Sequence, residues 1–503
     1  MFFKLLMPVL LWSIMAVGCS DDNETPTPAP TIEITTEVPA NTPVVLVPGN
    51  TYKVEFKAEN TGSITANSSA GWQVDINPEE GYAEVTVLAD DTEGTKEYKM
   101  TLTAQGSDGT TQTSEAVWFY CIRDFSDPKG AFVLNEGNMT SENGSLIYIT
   151  PEGYVLDNAY KTVNGTELGN VCQDMWFHDG KIYIISQNGN KNPVGTEFDN
   201  DGMLVIADAK TLKKVDAFGN DDLAGLTWPS HIGVLDEEHV YIRDNGSANG
   251  ETGNGQIWRL NTKTREIKAL EGSTGAPKAP FKKIGNSLYT FKNAAYLVKL
   301  LEINAASDIV ASKNLPFSIQ KVNGIETDGT DLWIMHTDYA QSAIGKVAID
   351  APSKWIKDIK VDYDVDADGG EEAAQTGKSS GKVMAVYNNK AYYLYDTAIY
   401  MADFSKEDTP EETPGTGGDE EPESPALVDL YDLDSEALKM YNGISINPTT
   451  GILYANSIKG YGNFFTTNSI WGFDTNGSME NYLYKFDDYT HFPAGIYFPN
   501  ANN

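Results

Sequence analysis

Basic residues are scarce: 36 Lys+Arg stand against 72 Asp+Glu in 503 residues, a formal net charge of −36. Neutralising phosphates needs a basic stripe, so a polyanion of this kind excludes nucleic acid as a partner. Cysteine is nearly absent, at three residues, and histidine numbers five. No paired-Cys metal motif, Gly-x-Ser-x-Gly elbow or Gly-rich phosphate loop occurs, so the sequence signatures of zinc, serine-hydrolase and nucleotide chemistry are missing. Leu5–Val17 is the longest apolar stretch, and it is shorter than the roughly 20 residues a spanning helix needs. Runs of strong helix formers are few, whereas 26 Tyr, 19 Phe, 9 Trp and 45 Gly are present. Aromatics and glycines in this proportion favour strands and turns and argue against a helical bundle.

The first residues read as a processing signal. Lys4 is the short basic region, Leu5–Val17 the apolar stretch, and Ala16-Val17-Gly18-Cys19 a run of small residues into a cysteine. This resembles the bacterial lipoprotein box, which implies cleavage before Cys19 and lipidation of its thiol. Membrane attachment would then be through acyl chains alone. Ser20-Asp21-Asp22-Asn23-Glu24 is similar to the acidic export tag of Bacteroidota surface lipoproteins, which implies an outer membrane, exterior-facing location. Read without the resemblance, the same residues are a solvated tether that Thr25–Pro30 stiffens, giving a spacer over 20–30. Two thiols remain, Cys121 and Cys172, and their spacing does not place them together.

The remaining chain divides near residue 125. Over 31–124, short alternating runs such as Tyr52–Phe56, Tyr82–Val87 and Ala116–Tyr120 are separated by turns such as Pro48-Gly49-Asn50 and Ser107-Asp108-Gly109. Period-two alternation at this spacing predicts an antiparallel, immunoglobulin-like β-sandwich. Its expected role is to hold the next domain off the membrane.

From Lys129 a repeat emerges of about 40 residues: apolar run, tight turn, Tyr-rich run, loop, third run, turn, fourth run. One copy runs from Gln173–Phe177 to Lys214–Phe218; others cover Trp228–Leu270, Ala279–Leu315, Ile319–Val361, Lys382 to about Leu430, and Tyr441–Tyr484. A seventh unit is split. Its outer strands are expected at Gly130–Leu134, Ser145–Ile149 and the run near Tyr160, and its innermost strand at Ala494–Phe498. The whole chain therefore reads as all-β, with a β-propeller over 125–503, seven blades and closure that joins the two chain ends. Acidic insertions lie near 362–378 and 405–426.

Phe132-Val133-Leu134-Asn135-Glu136-Gly137-Asn138, Asn143-Gly144-Ser145-Leu146 and Asn164–Asn170 resemble the opening of a Bacteroidota family of propeller lipoproteins, which is similar in turn to YVTN-type propellers. The resemblance covers about 125–500. It implies a surface protein of the kind that captures cobalamin, a corrinoid, and passes it to a TonB-dependent outer-membrane transporter. No ligand-contact motif carries over residue by residue.

Topology points to a ligand face without the family. In an up-and-down blade, the loop after strand two and the approach to the next blade's first strand emerge together, around a central funnel. The loops supply Asn135, Glu136 and Asn138; Gln187 and Asn188; Arg243 and Asp244; His336 and Tyr339; and Tyr461. The approaches supply Gln173, Asp174, Trp228, His231, Tyr441, Asn442 and His491, with Phe281 and Phe492. Amides and aromatics suit a corrinoid or a glycan, held by hydrogen bonds and stacking. The opposing reading is that the Asn and Asp side chains only make turns.

Metal chemistry has two candidates. His231, His336 and His491 share the expected ligand face, with His178 and His239 at the opposite turns, but they come from separate blades without metal-ligand spacing. Asp364, Asp366 and Asp368, followed by Gly369, match the first half of a Ca²⁺ loop, with Gln375 in place of the usual bidentate Glu. A solvated acidic insertion explains the same residues, and no cofactor is required. The functional expectation is a ligand-binding surface protein, with a glycan-binding or adhesive propeller, or a propeller lactonase, as alternatives. The charge is concentrated outside the repeats: Ser20–Glu37, Asp362–Glu372 and Glu407–Ser424 hold five, six and eight acids and no Lys or Arg.

Overall fold

The computed structural model describes residues 28–38, 42–192, 195–246, 255–294, 297–306, 308, 310–338, 342–361, 383–406 and 425–499. Cys19, Tyr339, Asp364, Asp366 and Asp368 lie outside the described residues, as do 362–378 and 407–424 of the acidic insertions.

Residues 31–121 form three small sheets. Thr31–Ile34, Thr51–Glu59, Tyr82–Val87 and Trp72–Asn77 make the four-stranded one. Alternation decides its faces: Val54 and Phe56 are buried, while Lys53, Glu55 and Lys57 between and beside them are exposed. A Trp72–Tyr98–Phe119 stack fills the space behind, with centroids 5.3 and 6.2 Å apart. Two departures from the expected antiparallel sandwich appear. Val44–Leu46 pairs with Val117–Cys121 in parallel, and Ser63–Ala66, Leu102–Gln105 and Thr111–Thr113 form a separate third sheet. Both cysteines are buried as free thiols, Cys121 in this core and Cys172 in the propeller.

Seven four-stranded antiparallel sheets follow among the described residues, six in simple sequential order and one completed by a strand from the C-terminal end, and together they make the β-propeller. The blade that follows the closing one is typical: Asn170–His178, Lys181–Gly189, Leu204–Asp208 and Lys214–Phe218. Its tight first turn needs left-handed backbone, supplied by Asp179 and Gly180 at φ of 46° and 68°. The ring closes where Pro493–Tyr497 pairs with Ala131–Asn135, placing Ile496 opposite Val133. That sheet, numbered here as blade 1, takes its innermost strand from the C-terminal end, and the last complete sheet in the chain is blade 7.

The run near Tyr160 is not the outer strand of blade 1. Val155–Leu156 fills that position, and Tyr160 belongs to a short helix, Ala159–Asn164. Left-handed residues bracket it, Asn158 before and Gly165 after, the latter donating back to the Lys161 carbonyl in a helix-ending turn. Tyr160 is buried and donates to Asp201 at 2.6 Å. A buried tyrosine reads alike in either element.

Up-and-down topology gives the propeller two faces. The loop face carries the loops after each second strand and the connections between blades. The turn face carries the tight turns. The N-terminal unit grips the turn face: Val47, Tyr120, Ile122 and Phe125 share a core with Phe132 and Tyr148. Trp118 and Tyr120 pack edge-on against Tyr154, at 5.5 and 5.1 Å. The Tyr120 hydroxyl donates to Glu152 and the Phe125 amide to the Lys210 carbonyl, each at 2.8 Å. A buried Arg123–Asp91 ion pair ties the connecting segment back to the N-terminal unit.

Candidate functional site

Three consecutive innermost strands begin irregularly. In blade 7 the pairing slips between Met440 and Ile444, in blade 1 between Leu134 and Asn135, and in blade 2 between Asn170 and Cys172. At each slip a non-glycine residue takes left-handed backbone: Asn442, Phe492 and Val171, with φ of 51°, 53° and 56°. A β-branched or aromatic residue there is strained by about 1–3 kcal/mol. Bulges re-aim side chains, and these sit on the loop face of adjacent blades.

Around the Asn442 and Phe492 bulges, rings from the strand ends and from the loop after Ile458 form an aromatic wall. Phe492 stacks on Phe465 at 4.4 Å and 18°, and Tyr441 lies 5.5 Å from Phe492 and 6.3 Å from Tyr461. His491 meets the edge of Phe465 at 5.7 Å. Tyr461 is 40% exposed and Phe465, Phe492 and Tyr441 are half-buried, so the wall meets solvent at its Tyr461 edge. Glu136 stands inside it, accepting from the Asn442 amide at 3.3 Å, while its own N–H donates to the Phe492 carbonyl at 2.7 Å. Burial, reinforced by the facing Glu136 carboxylate, pushes the Tyr441 phenol well above its usual pKa. The His491 ring nitrogen Nδ1 lies 3.0 Å from Glu142, and that bond holds the imidazole above its ordinary pKa.

Six of the sequence candidates therefore converge here: Glu136, Tyr441, Asn442, Tyr461, His491 and Phe492. Phe465 and Glu142 were not among them. The adjacent pair Phe464-Phe465, between Ile452–Ile458 and Asn468–Asp474, was the available signal: two neighbouring rings in a loop have no alternation to account for them.

Most other candidates hold the scaffold. Asn135 donates to Ser145 at 2.9 Å, and Asn138 accepts from the Thr140 amide at 3.0 Å. Asn188 donates to Asn170 at 2.7 Å, and Asn170 donates in turn to the Asn138 and Glu142 carbonyls. Gln187 is buried, and Gln173 accepts from Lys278 at 2.8 Å. Asp244 accepts from the Thr227, Trp228 and Gly246 amides, which pins Trp228 at the start of blade 3. Arg243, buried and pushed down to about 10 by that burial, donates twice to the Ala276 carbonyl.

The histidines do not meet. His336 is fully buried, stacked at 4.7 Å on Trp355 and bonded to Asp358 on the outermost strand, so it faces away from the funnel. The sheet alternation turns it to the blade flank, a placement that spacing alone does not reveal. His231 bonds Asp174 at 3.1 Å. Among the described residues no three His, Cys, Asp or Glu are grouped to hold a metal ion.

Asp174 lies deeper than expected. It also accepts from the Tyr497 hydroxyl at 2.8 Å and the Met175 and Ile232 amides at 3.0 and 3.2 Å. It floors a cavity of about 560 Å³ that opens on the turn face between Phe177, Lys283, Asp328, Tyr387 and Phe498. Phe281 lines this cavity rather than the loop face.

Residues 129–499 match the family described as a domain of unknown function, DUF5074. No match was found among curated proteins. Among solved structures, a protein from Lactobacillus plantarum is similar at 10% identity and a TM-score of 0.41, over 73% of this chain and 98% of that one. TolB from Acinetobacter baumannii is similar at 11% and 0.33, over 74% and 93%. The β-propeller domain of the Trilobed protease from Pyrococcus furiosus is similar at 11% and 0.33, over 62% and 82%.

Proposed function

The chain belongs to the DUF5074 family, and from that premise we propose that it is a binding protein whose propeller captures a large polar ligand against the aromatic wall of blades 7 and 1. The observation that carries this reading is the half-buried stack of Phe465 and Phe492, with exposed Tyr461, beside the Glu136, Tyr441 and Asn442 polar group, with Phe492 and Asn442 on strained bulges. Rings exposed on a rigid scaffold offer stacking area, and the carboxylate and amide orient a ligand's polar edge. A corrinoid, the ligand implied by the opening-motif resemblance, has both an extended planar ring and peripheral amides. In this proposal the chain is lipid-anchored at Cys19, faces the exterior, and passes the ligand to a TonB-dependent transporter. The N-terminal unit grips the turn face, opposite the aromatic wall, which supports that orientation.

Isothermal titration of the chain with cyanocobalamin tests the proposal. Binding at micromolar concentration or tighter is expected, and about tenfold or greater weakening in Phe465→Ala, since base-like stacking on an aromatic contributes ~1–3 kcal/mol. Phe492→Gly removes the ring while suiting the left-handed backbone, so it is expected to lose affinity without losing stability. Absence of binding at micromolar concentration sinks the corrinoid and places glycans first.

A further inference from the structure

The turn-face cavity, about 560 Å³ in volume, takes no part in the function proposed above. The inner strands of blades 1, 2, 4, 5, 6 and 7 all contribute to it, so it lies at the centre of the ring, on the face opposite the aromatic wall. Its size falls among small-molecule sites, which are mostly aromatic clefts with a few placed polar groups. Six rings line it: Trp176, Phe177, Phe281, Tyr387, Tyr497 and Phe498.

Charge is cancelled within the lining. Lys282 pairs with Glu326, and Asp328 accepts from Lys346 at 2.8 Å and from the Trp333 indole at 3.0 Å. Asp174 is taken up by Tyr497, His231 and two backbone amides, and Lys283 is engaged as well. A charged ligand therefore finds no unpaired counter-charge. One polar group is left over. Trp176 is 4% exposed, and its indole N–H has no acceptor among the described residues. The ring borders the cavity and also packs in the core that blades 2 and 3 share, with Tyr183 and Ile232, so it is held in place. Buried donors are nearly always paired, and an orphan on the lining of a cavity of this size marks the place of an acceptor that the chain itself does not supply.

We propose that the turn-face cavity is a second binding site, for a neutral planar aromatic molecule that carries a hydrogen-bond acceptor. The rings supply stacking area and the Trp176 N–H supplies direction. An anion of the same shape loses its hydration with no counter-charge in return. The inference rests on the cavity and the orphan donor, and it stands whether or not the aromatic wall binds a corrinoid.

Calorimetric titration of the full chain with nicotinamide tests it, with the anion nicotinate as the control. Nicotinamide is expected to bind at millimolar concentration or tighter, and nicotinate about tenfold more weakly. Trp176→Phe removes the N–H and keeps a ring, and it is expected to weaken nicotinamide about fivefold. Tyr387→Ala changes a half-buried ring on the rim and spares the core, so it serves as a second variant should Trp176→Phe fail to fold; about tenfold weakening is expected. Phe465→Ala, in the aromatic wall, is expected to leave nicotinamide binding unchanged. No heat with nicotinamide at millimolar concentration, equal binding of nicotinate, unchanged affinity in either folded cavity variant, or a loss in Phe465→Ala that moves the ligand to the wall each overturns the proposal.

Discussion

Asp174 tests whether a buried polar residue beside the channel belongs to ligand recognition or to ring closure. Its carboxylate, 4% exposed, collects donors from three consecutive blades: the Met175 amide of its own strand, His231 and the Ile232 amide of blade 3, and the Tyr497 hydroxyl of the closing strand. Asp174→Ala leaves those donors without an acceptor in a water-poor interior, and breaking a buried group of this kind costs about 3–5 kcal/mol. Tyr497→Phe removes one hydrogen bond to a charged group, about 1.5–3 kcal/mol. Unfolding entropy of ~2 cal/mol/K per residue over a propeller of this length gives ~0.8 kcal/mol per degree, so Tm is expected to fall about 4–6 °C and 2–4 °C. Both variants lose the same bond, so the double variant is expected to fall short of the sum by about 1–2 kcal/mol. Denaturant unfolding followed by Trp fluorescence reads all three. Additive losses, or less than ~1 kcal/mol for Asp174→Ala, refute the closure role, and weakened cyanocobalamin binding in a stable Asp174 variant would return the residue to the ligand site.

Two further outcomes follow from the interior. Burial pushes the phenols of Tyr98, Tyr183, Tyr241 and Tyr289 up to about 12; groups raised in the native state stabilise fully below the unfolded value near 10, and that contribution is lost as pH rises toward 12. With ~1.4 kcal/mol per pH unit for each of these buried groups, stability is expected to drop by on the order of 5 kcal/mol per unit there, so after the exposed phenols have ionised the remaining phenolate absorbance should appear in one step with loss of circular dichroism; ionisation of the full tyrosine complement with circular dichroism retained contradicts it. A Cβ on Gly345 would stand 2.2 Å from the Trp355 ring, so Gly345→Ala is expected to displace the tryptophan from His336 and to cost about 1–3 kcal/mol in denaturant unfolding; an unchanged midpoint means the outer strand gives way freely.

The propeller was legible because each blade repeats the same local grammar. Asp179-Gly180 marks a turn that only left-handed backbone can make, and the apolar run at Ala494–Phe498 was left over after six units, opposite an opening unit short of one strand. Side-chain roles were less legible. Asn170 bonds carbonyls more than two dozen positions away, and an asparagine that pins a loop has the same letter and setting as one that grips a ligand. Tyr160 shows the complementary limit: aromatic Tyr160 and β-branched Thr162 and Val163 suit a strand by residue type, whereas the three-residue spacing of Tyr160 and Val163 and the Asn164-Gly165 end belong to a helix. The turn-face cavity could not be read from loops, because its width depends on which residues end the inner strands, and Val386, Ser445 and Pro448 leave room there.

The strained sector and the braced sector coincide. The bulges at Asn442, Phe492 and Val171 open the loop face of blades 7, 1 and 2. On the opposite face the N-terminal unit and the segment that follows it hold those same blades: Asn447 donates to the Pro128 carbonyl at 3.0 Å at blade 7, Tyr120 to Glu152 at blade 1, and Phe125 to Lys210 at blade 2. Local strain persists only where surrounding contacts over-determine the backbone. Blade 1 is also where two chain ends meet, so it lacks the covalent turn that fixes first and second strands in every other blade. Support from behind offsets that weakness, and it ties the N-terminal unit physically to the blades that carry the aromatic wall.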